Sequence, residues 1–145
     1  MVILLIAVGV PIGLGLFTFT YAKGGSYLSD DPAACANCHV MRDQYEAWQH
    51  SSHRRVAVCN DCHTPHSSMV AKYVVKGING FNHSLAFTTG VFNDPIRANE
   101  LNAAVVQENC VACHQDFTTM IAVNHAEEEL ACVTCHNDVG HDTRN

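Results

Sequence analysis

The N-terminal end of the chain is a long apolar run in which residues 2–21 contain no charged side chain. At a rise of roughly 1.5 Å per residue, a helix over this run is about 30 Å long and can cross a bilayer core. A membrane helix also tolerates Pro11 in its middle. A cleaved signal peptide is the competing interpretation, but the run is long for the apolar part of a signal. We therefore predict that residues 1–22 form an uncleaved transmembrane anchor.

After the anchor, apolar residues recur at helical spacing, and no segment alternates like a strand. Ser67 or Ser68 can cap a long helix, whose apolar positions are Val70, Tyr73, Val74, Ile78, Phe81 and Leu85. Asp31-Pro32 and Asp94-Pro95 each combine a capping side chain with a first-turn proline, so helices are predicted to start there. The predicted fold is mainly α, with one N-terminal transmembrane helix. Over residues 23–145 a small domain of short helices and loops follows, without significant sheet.

The charge of the chain argues against nucleic-acid binding. The formal net charge is −6 with neutral histidines, and the eight lysines and arginines are scattered without forming a basic stripe. We therefore expect no nucleic-acid partner.

All eight cysteines lie in four copies of the pattern C-x-x-C-H. The copies are Cys35-Ala36-Asn37-Cys38-His39, Cys59-Asn60-Asp61-Cys62-His63, Cys110-Val111-Ala112-Cys113-His114 and Cys132-Val133-Thr134-Cys135-His136. This pattern attaches haem c: two thiols form thioethers to one porphyrin, and the adjacent histidine reaches the iron. Zinc knuckles or disulfides would not explain a histidine after every pair and no cysteine outside the pairs. The pattern predicts four covalently bound haems c, which would form much of the hydrophobic core.

The motifs also predict where the domain lies. Haem c is attached on the outer side of the bacterial inner membrane, so the chain is expected to cross that membrane once, with residues 23–145 facing the periplasm. The motifs fall into two pairs with similar arrangements of free histidines, which indicates duplicated di-haem units at residues 35–66 and 110–141.

The histidines are the candidate iron ligands. His39, His63, His114 and His136 follow the motifs and are proximal ligands by default. Among the free histidines, His53 and His141 are the strongest distal candidates, His125 comes next, and His50 and His66 are weaker. Met41, two residues after His39, either ligates an iron or packs its thioether on a porphyrin face.

Several segments carry a family resemblance that extends over nearly the whole chain. They are the N-terminal anchor, YLSDDPAACANCHVM from Tyr27 to Met41, CNDCHTPH from Cys59 to His66, KGINGFNHSLAFTTG from Lys76 to Gly90, and the last motif with His141. The chain resembles the NapC/NirT family of membrane-anchored multihaem quinol dehydrogenases. Within that family it is most similar to the branch of small tetrahaem subunits that feed electrons to cytochrome c nitrite reductase.

This resemblance implies a quinol dehydrogenase that oxidises menaquinol from the membrane pool. Electrons would pass to a periplasmic multihaem reductase, with cytochrome c nitrite reductase as the expected partner, and the chain would have no nitrite-reducing site of its own. Two alternatives stay open. One is an electron-donating anchor for a nitrate or N-oxide reductase, and the other is a tethered electron-transfer cytochrome without a quinol site.

The resemblance also implies roles for particular residues. At the first haem, Met41 would ligate the iron in place of His39. Lys76 matches a lysine that lines the quinol site beside this haem. His83 stands where some members carry an aspartate, and whether it ligates the first haem or accepts a proton stays open.

A separate argument from the residues supports a quinol site on the predicted long helix. Quinol oxidation releases protons as well as electrons, so the site needs a proton acceptor and a polar group that orients the quinol oxygen. The side chains that share one stripe of this helix are Lys72, Lys76, Asn79 and His83. The alternative is a solvated polar face on a helix that Gly77 and Gly80 interrupt.

Overall fold

The computed structural model describes residues 1–124 and 131–141. Its α-helices are α1 (Val2–Tyr21), α2 (Arg42–His50), α3 (Cys59–His63), α4 (Met69–Thr89), α5 (Glu100–Cys113), α6 (Gln115–Asn124) and α7 (Cys132–Cys135). Short 3₁₀ helices cover Gly24–Leu28, Pro32–Asn37 and His39–Met41. Because no strand occurs within the described ranges, the prediction of a mainly α fold is confirmed.

The chain divides into two compact units, Met1–Tyr45 and Glu46–Asn145. In the first unit, α1 is long and apolar enough to cross a membrane, and Pro11 lies inside it without ending it. Every side chain of α1 is exposed, as expected of a helix that is apolar all round and meets lipid. The predicted division after residue 22 and the predicted duplication of di-haem units remain predictions.

The first C-x-x-C-H motif lies on the two 3₁₀ helices that end the first unit. The Asp31 carboxylate accepts a hydrogen bond from the Ala33 N–H, with Pro32 in the first turn, so the predicted cap is present. The Asn37 side chain donates to the Ser26 hydroxyl over 3.0 Å and ties the motif to the preceding 3₁₀ helix.

In the second unit, α4 is one continuous helix. Of the two candidate caps, Ser68 accepts a hydrogen bond from the Ala71 N–H over 3.1 Å, which starts the helix at Met69. The helix ends at Gly90, whose φ of 69° is accessible to glycine without strain. Gly77 and Gly80 do not interrupt it, so the interpretation of a glycine-broken helix is wrong.

The packed face of α4 is the polar one. Val75 is buried, and the neighbouring positions on that face, among them Lys72 and Asn79, are half-buried. The apolar positions point outward, with 68% of Phe81 and 74% of Val70 exposed. This is the reverse of an amphipathic helix packed on a protein core, where the apolar stripe faces inward.

Helix α5 begins later than predicted. The predicted start at Asp94-Pro95 is wrong, because the helix starts at Glu100. The Asn99 side chain caps it by accepting from the Asn102 N–H over 2.9 Å. A first-turn proline permits a helix without requiring one, whereas a cap that accepts an orphan N–H fixes the start.

Our first prediction tests the cap of α4. Replacing Ser68 by alanine leaves a first-turn N–H without its acceptor, which should lower the free energy of unfolding by about 1 kcal/mol. Urea unfolding of the haem-loaded protein, followed by helical circular dichroism, measures the change. Ser67→Ala is the matched control, since its neighbour provides the cap, and should stay within about 0.5 kcal/mol of the parent. Equal losses for both variants would contradict this cap.

Candidate haem and quinol sites

The eight cysteines are arranged for attachment to a flat ring. No disulfide joins any of them. The second motif forms α3, the third ends α5 and the fourth forms α7. In C-x-x-C-H the two cysteines and the histidine stand at positions i, i+3 and i+4. On a helical turn these three positions share one face. Each of these three motifs therefore presents two thiols and an imidazole to the same side, which fits haem c.

The second motif has a histidine facing its own. The rings of His63 and His141 have centroids 6.1 Å apart and planes that differ by 6°. Two imidazoles that bind one iron from opposite sides, each through a bond of roughly 2 Å, have ring centres about 6 Å apart. The pair therefore has the spacing of two axial ligands.

The third motif has a similar partner in another orientation. His53 and His114 have ring centroids 6.0 Å apart, with planes inclined at 71°. The His53 Nδ1 lies 3.1 Å from the carbonyl oxygen of Val139. It also lies 3.0 Å from the Ser52 hydroxyl, and a proton on Nδ1 directed at the carbonyl would leave Nε2 as the basic nitrogen. Fixing the tautomer in this way is how proteins orient metal-binding histidines.

Burial keeps His63 in the form that binds iron. It lowers the pKa of His63 to about 4, with further lowering by positive charge on His141 and on His83. Burial also lowers the pKa of His141. Metal ligation requires the neutral imidazole, so both residues fit a ligand role at neutral pH.

The other predicted ligands have no facing histidine ring among the described contacts. In the first unit, His39 is exposed and Met41 is half-buried on the same short 3₁₀ helix. His136 is exposed at the end of α7, and His125 lies outside the described residues. The weaker candidate His66 uses Nε2 for a hydrogen bond of 2.9 Å to the carbonyl oxygen of Asp61.

The interior of the chain also fits bulky prosthetic groups. Apolar residues make up 48% of the sequence. Among described side chains, however, the buried apolar ones are Ala34, Val75 and Val105. A protein of this composition normally buries many large aliphatic and aromatic side chains. Apolar surface of this extent suits packing against porphyrin and lipid.

The quinol stripe lies along the packed side of α4. Lys72, Lys76 and Asn79 are half-buried, and His83 is exposed. The Lys76 ammonium lies 5.7 Å from the centre of the Tyr73 ring, within cation–π range. Lys72 also lines a cavity of about 370 Å³ between the second motif and the start of α4.

Asn79 has a structural partner that the sequence pattern did not indicate. Its side chain donates to Asn102 Oδ1 over 2.9 Å, and the Asn102 side chain donates back over 3.0 Å. The two amides join α4 to α5. The structure therefore gives Asn79 a helix-pairing contact, while Lys72, Lys76 and His83 remain the titratable members of the stripe.

Two further side chains escaped the sequence analysis. Asn109 donates to the carbonyl oxygens of Cys62 and Thr64, and Gln107 accepts from the backbone N–H of Cys132. Both connect α5 to other C-x-x-C-H motifs. Their one sequence signal is position, since Gln107 and Asn109 belong to a short polar run that directly precedes the third motif.

The chain is similar to known cytochromes c along most of its length. Residues 1–145 match the model of the NapC/NirT cytochrome c family, N-terminal region. The chain is 40% identical to the cytochrome c-type protein NrfH of Wolinella succinogenes, over 94% of this chain and 83% of the relative. It is 33% identical to the cytochrome c nitrite reductase subunit NrfH of Nitratidesulfovibrio vulgaris, over 88% and 78%.

A solved structure is similar as well. The crystal structure of the cytochrome c nitrite reductase NrfHA complex bound to the HQNO inhibitor contains a chain 31% identical to this one. The TM-score is 0.68, and the match covers 96% of this chain and 92% of the other.

Proposed function

Because the chain belongs to the NapC/NirT cytochrome c family, we propose that it is the quinol-oxidising membrane anchor that supplies electrons to a cytochrome c nitrite reductase. Covalently bound haem c and an N-terminal membrane anchor follow from membership of the family together with helix α1. The observation that carries the proposal is the joint presence of four C-x-x-C-H motifs and similarity to a nitrite reductase subunit along most of the chain. In this role the chain is a quinol dehydrogenase, with no nitrite-reducing site of its own.

Each motif would hold one haem c through its two cysteines, and the bound iron would accept and release one electron at a time. For the second haem, His63 and His141 would hold the iron, and their 6.1 Å ring spacing supports this pairing. For the third, His114 and His53 would hold the iron, with a ring spacing of 6.0 Å. Met41, in place of His39, is proposed for the first haem. His136 is proposed for the fourth, and the predicted ligand His125 has no assigned haem.

Menaquinol is the proposed substrate, and the stripe on α4 is its proposed site. Lys76 would orient a quinol oxygen, and His83 would accept a proton as electrons leave. Lys72 is placed to assist at the cavity it lines. We assign His83 a role other than iron ligation, because it shares one stripe of α4 with Lys76, where a quinol site needs a proton acceptor. The half-buried positions of Lys72 and Lys76 support a site more than a solvated surface, whose side chains would face outward.

The proposed location follows from haem attachment outside the cytoplasm. Helix α1 would cross the bacterial inner membrane once, with the haem domain in the periplasm. There the chain draws on the quinol pool of the bilayer and meets its multihaem partner.

The ligand pairs predict two distinct signals in the electron paramagnetic resonance (EPR) spectrum of the oxidised protein. In haems with two histidine ligands, near-parallel imidazole planes give a rhombic low-spin signal, and steeply inclined planes give a strongly anisotropic one. With angles of 6° and 71°, the second haem should give the first kind and the third haem the second kind.

Ligand variants assign these signals. His141→Ala should remove the rhombic signal and produce a high-spin or weak-ligand haem, whereas His53→Ala should remove only the anisotropic one. His66→Ala is the matched control and should change neither, since its Nε2 donates to the backbone. Loss of the rhombic signal in His66→Ala, or its survival in His141→Ala, would contradict the assignment.

The first haem gives another prediction. If Met41 is its ligand, Met41→His should lower the potential of that haem, because imidazole favours the oxidised iron more than a thioether does. His39→Ala should have a much smaller effect in the same redox titration. A clear ligand-loss spectrum in His39→Ala would assign the iron to His39 instead.

The quinol stripe is tested with two electron donors. Lys76→Gln and His83→Gln should each slow oxidation of a menaquinol analogue at least about tenfold, because each removes a group that positions or deprotonates the substrate. Reduction by a soluble artificial donor should stay near normal, since the haem ligands are unchanged. Asn82→Gln, an exposed residue of the same helix outside the stripe, is the control.

The outcomes separate the candidate functions. Normal quinol kinetics in both stripe variants would move the quinol site elsewhere. Complete lack of quinol oxidation by the unsubstituted protein would favour a tethered cytochrome without a quinol site. Co-purification from native membranes with a nitrate or N-oxide reductase, in place of a nitrite reductase, would reassign the partner.

A further inference from the structure

Helix α5 connects three of the four C-x-x-C-H motifs. Its last turn, Cys110 to Cys113, is part of the third motif. Helix α3, which holds the second motif, packs against α5, and so does α7, which holds the fourth. Two side chains of α5 form hydrogen bonds with the backbone of the second and fourth motif regions.

The first of these side chains is Asn109. Its Nδ2 donates to the carbonyl oxygen of Cys62 over 3.0 Å and to that of Thr64 over 2.9 Å. Asn109 is 5% exposed and Thr64 3%. The two accepting carbonyls belong to the residues on either side of His63. A buried carboxamide therefore holds the backbone from which the His63 imidazole projects.

The second side chain is Gln107. Its Oε1 accepts a hydrogen bond of 2.8 Å from the backbone N–H of Cys132, the first residue of α7. Residues two apart on an α-helix point about 200° from each other around the axis. Gln107 and Asn109 thus reach in opposite directions, and α5 lies between the second and the fourth motif.

We propose that Gln107 and Asn109, the motif-bridging amides, are positioning residues that hold the second and fourth haem attachment motifs against the third. Asn109 in addition orients the His63 ring relative to its partner His141. This inference rests on the proposed haem attachment and on the proposed pairing of these two histidines. It concerns two residues that lie outside the C-x-x-C-H motifs and outside the proposed iron ligands.

The physical reason is that both ligand orientation and haem spacing control electron transfer. Hydrogen bonds behind a metal ligand fix its ring and tune the metal. Tunnelling between haems falls steeply with the distance between their edges, so a small shift of one motif slows transfer. Backbone bonds within a motif cannot set the distance between two motifs. A side chain of one motif region that forms a hydrogen bond with the backbone of another motif can set that distance.

General packing is the competing explanation, and the same helix offers a matched control for it. Asn102 also lies on α5 and makes two hydrogen bonds through its side chain, to Asn79. Neither of those bonds touches a C-x-x-C-H motif. Asn102→Leu and Asn109→Leu therefore remove comparable amide contacts, but only the second removes contacts with the backbone of a haem motif.

The experiment compares EPR spectra of the full-length, haem-loaded variants. In Asn109→Leu the rhombic signal assigned to the second haem should shift and broaden, because the His63 ring loses its fixed plane, while mass spectrometry still finds all haems attached. Asn102→Leu should leave that signal unchanged. An unaltered rhombic signal in Asn109→Leu, or an equal shift in Asn102→Leu, would overturn the proposal.

Gln107 provides an independent test that does not depend on maturation of the Asn109 variant. Gln107→Met removes the acceptor for Cys132 and should alter the spectrum of the fourth haem, leaving the rhombic signal intact. Gln107→Glu keeps an acceptor oxygen at the same place and should restore the parental line shape. Equal effects of methionine and glutamate, or no effect of methionine, would overturn the role of Gln107.

These outcomes are separate from failure of the proposed function. If the unsubstituted protein had no rhombic signal, the pairing of His63 with His141 would be wrong. If it showed the signal but did not oxidise quinol, the quinol site would be wrong. The effect of the Asn109 and Gln107 variants on the EPR spectrum would still test the motif-bridging amides.

Discussion

Covalently bound haem c supplies the large apolar surface that the chain itself lacks, because the described polypeptide buries only three apolar side chains. Apolar burial is the main force that offsets the conformational entropy lost on folding. With so little burial among its own side chains, the domain depends on side chains meeting porphyrin. The electron carriers and the hydrophobic core are then the same objects, and a change that displaces a haem affects both stability and electron transfer.

The orientation of α4 follows from this constraint. In a domain with an ordinary core the apolar positions of this helix, such as Val74 and Phe81, would point inward. Here Lys72 and Asn79 are half-buried while Phe81 is exposed. Burying an amine or an amide is unfavourable without a partner, and Asn79 has one in Asn102. The half-buried side of α4 is thus largely polar, and its exposed apolar side is available for packing against haem or lipid.

Local features of the fold were predictable from the sequence, and long-range ones were not. The anchor, the motifs and the Asp31 cap depend on neighbouring residues, so their patterns are visible in one stretch of chain. Ser67 and Ser68 were equivalent by pattern, and only geometry selects Ser68. The predicted helix start at Asp94 was wrong because Pro95 permits a helix without starting one. The helix starts later, at Glu100, where Asn99 provides the cap.

The candidate site shows the same division. Its histidines could be ranked as ligands from the sequence, but the pairing of His53 with His114 depends on how distant segments pack. The contacts of Asn79 with Asn102 and of Asn109 with Cys62 also connect remote positions. Asn109 is one of several polar residues on α5, and nothing in the sequence indicates which groups its side chain contacts. Such contacts carry no periodic signal, so sequence patterns leave them out.

Thioether bonds and axial bonds also differ in what they do to the chain. The two thioethers of a motif link residues three apart and hardly restrict the unfolded state. An iron shared by His63 and His141, or by His114 and His53, would close a long loop, and cross-links over long loops remove more conformational freedom from the unfolded chain. Distal ligation of the proposed kind would therefore constrain the tertiary fold far more than the local thioethers do. The motif-bridging amides would act in the same direction, because their hydrogen bonds join α5 to the backbone of the second and fourth motifs.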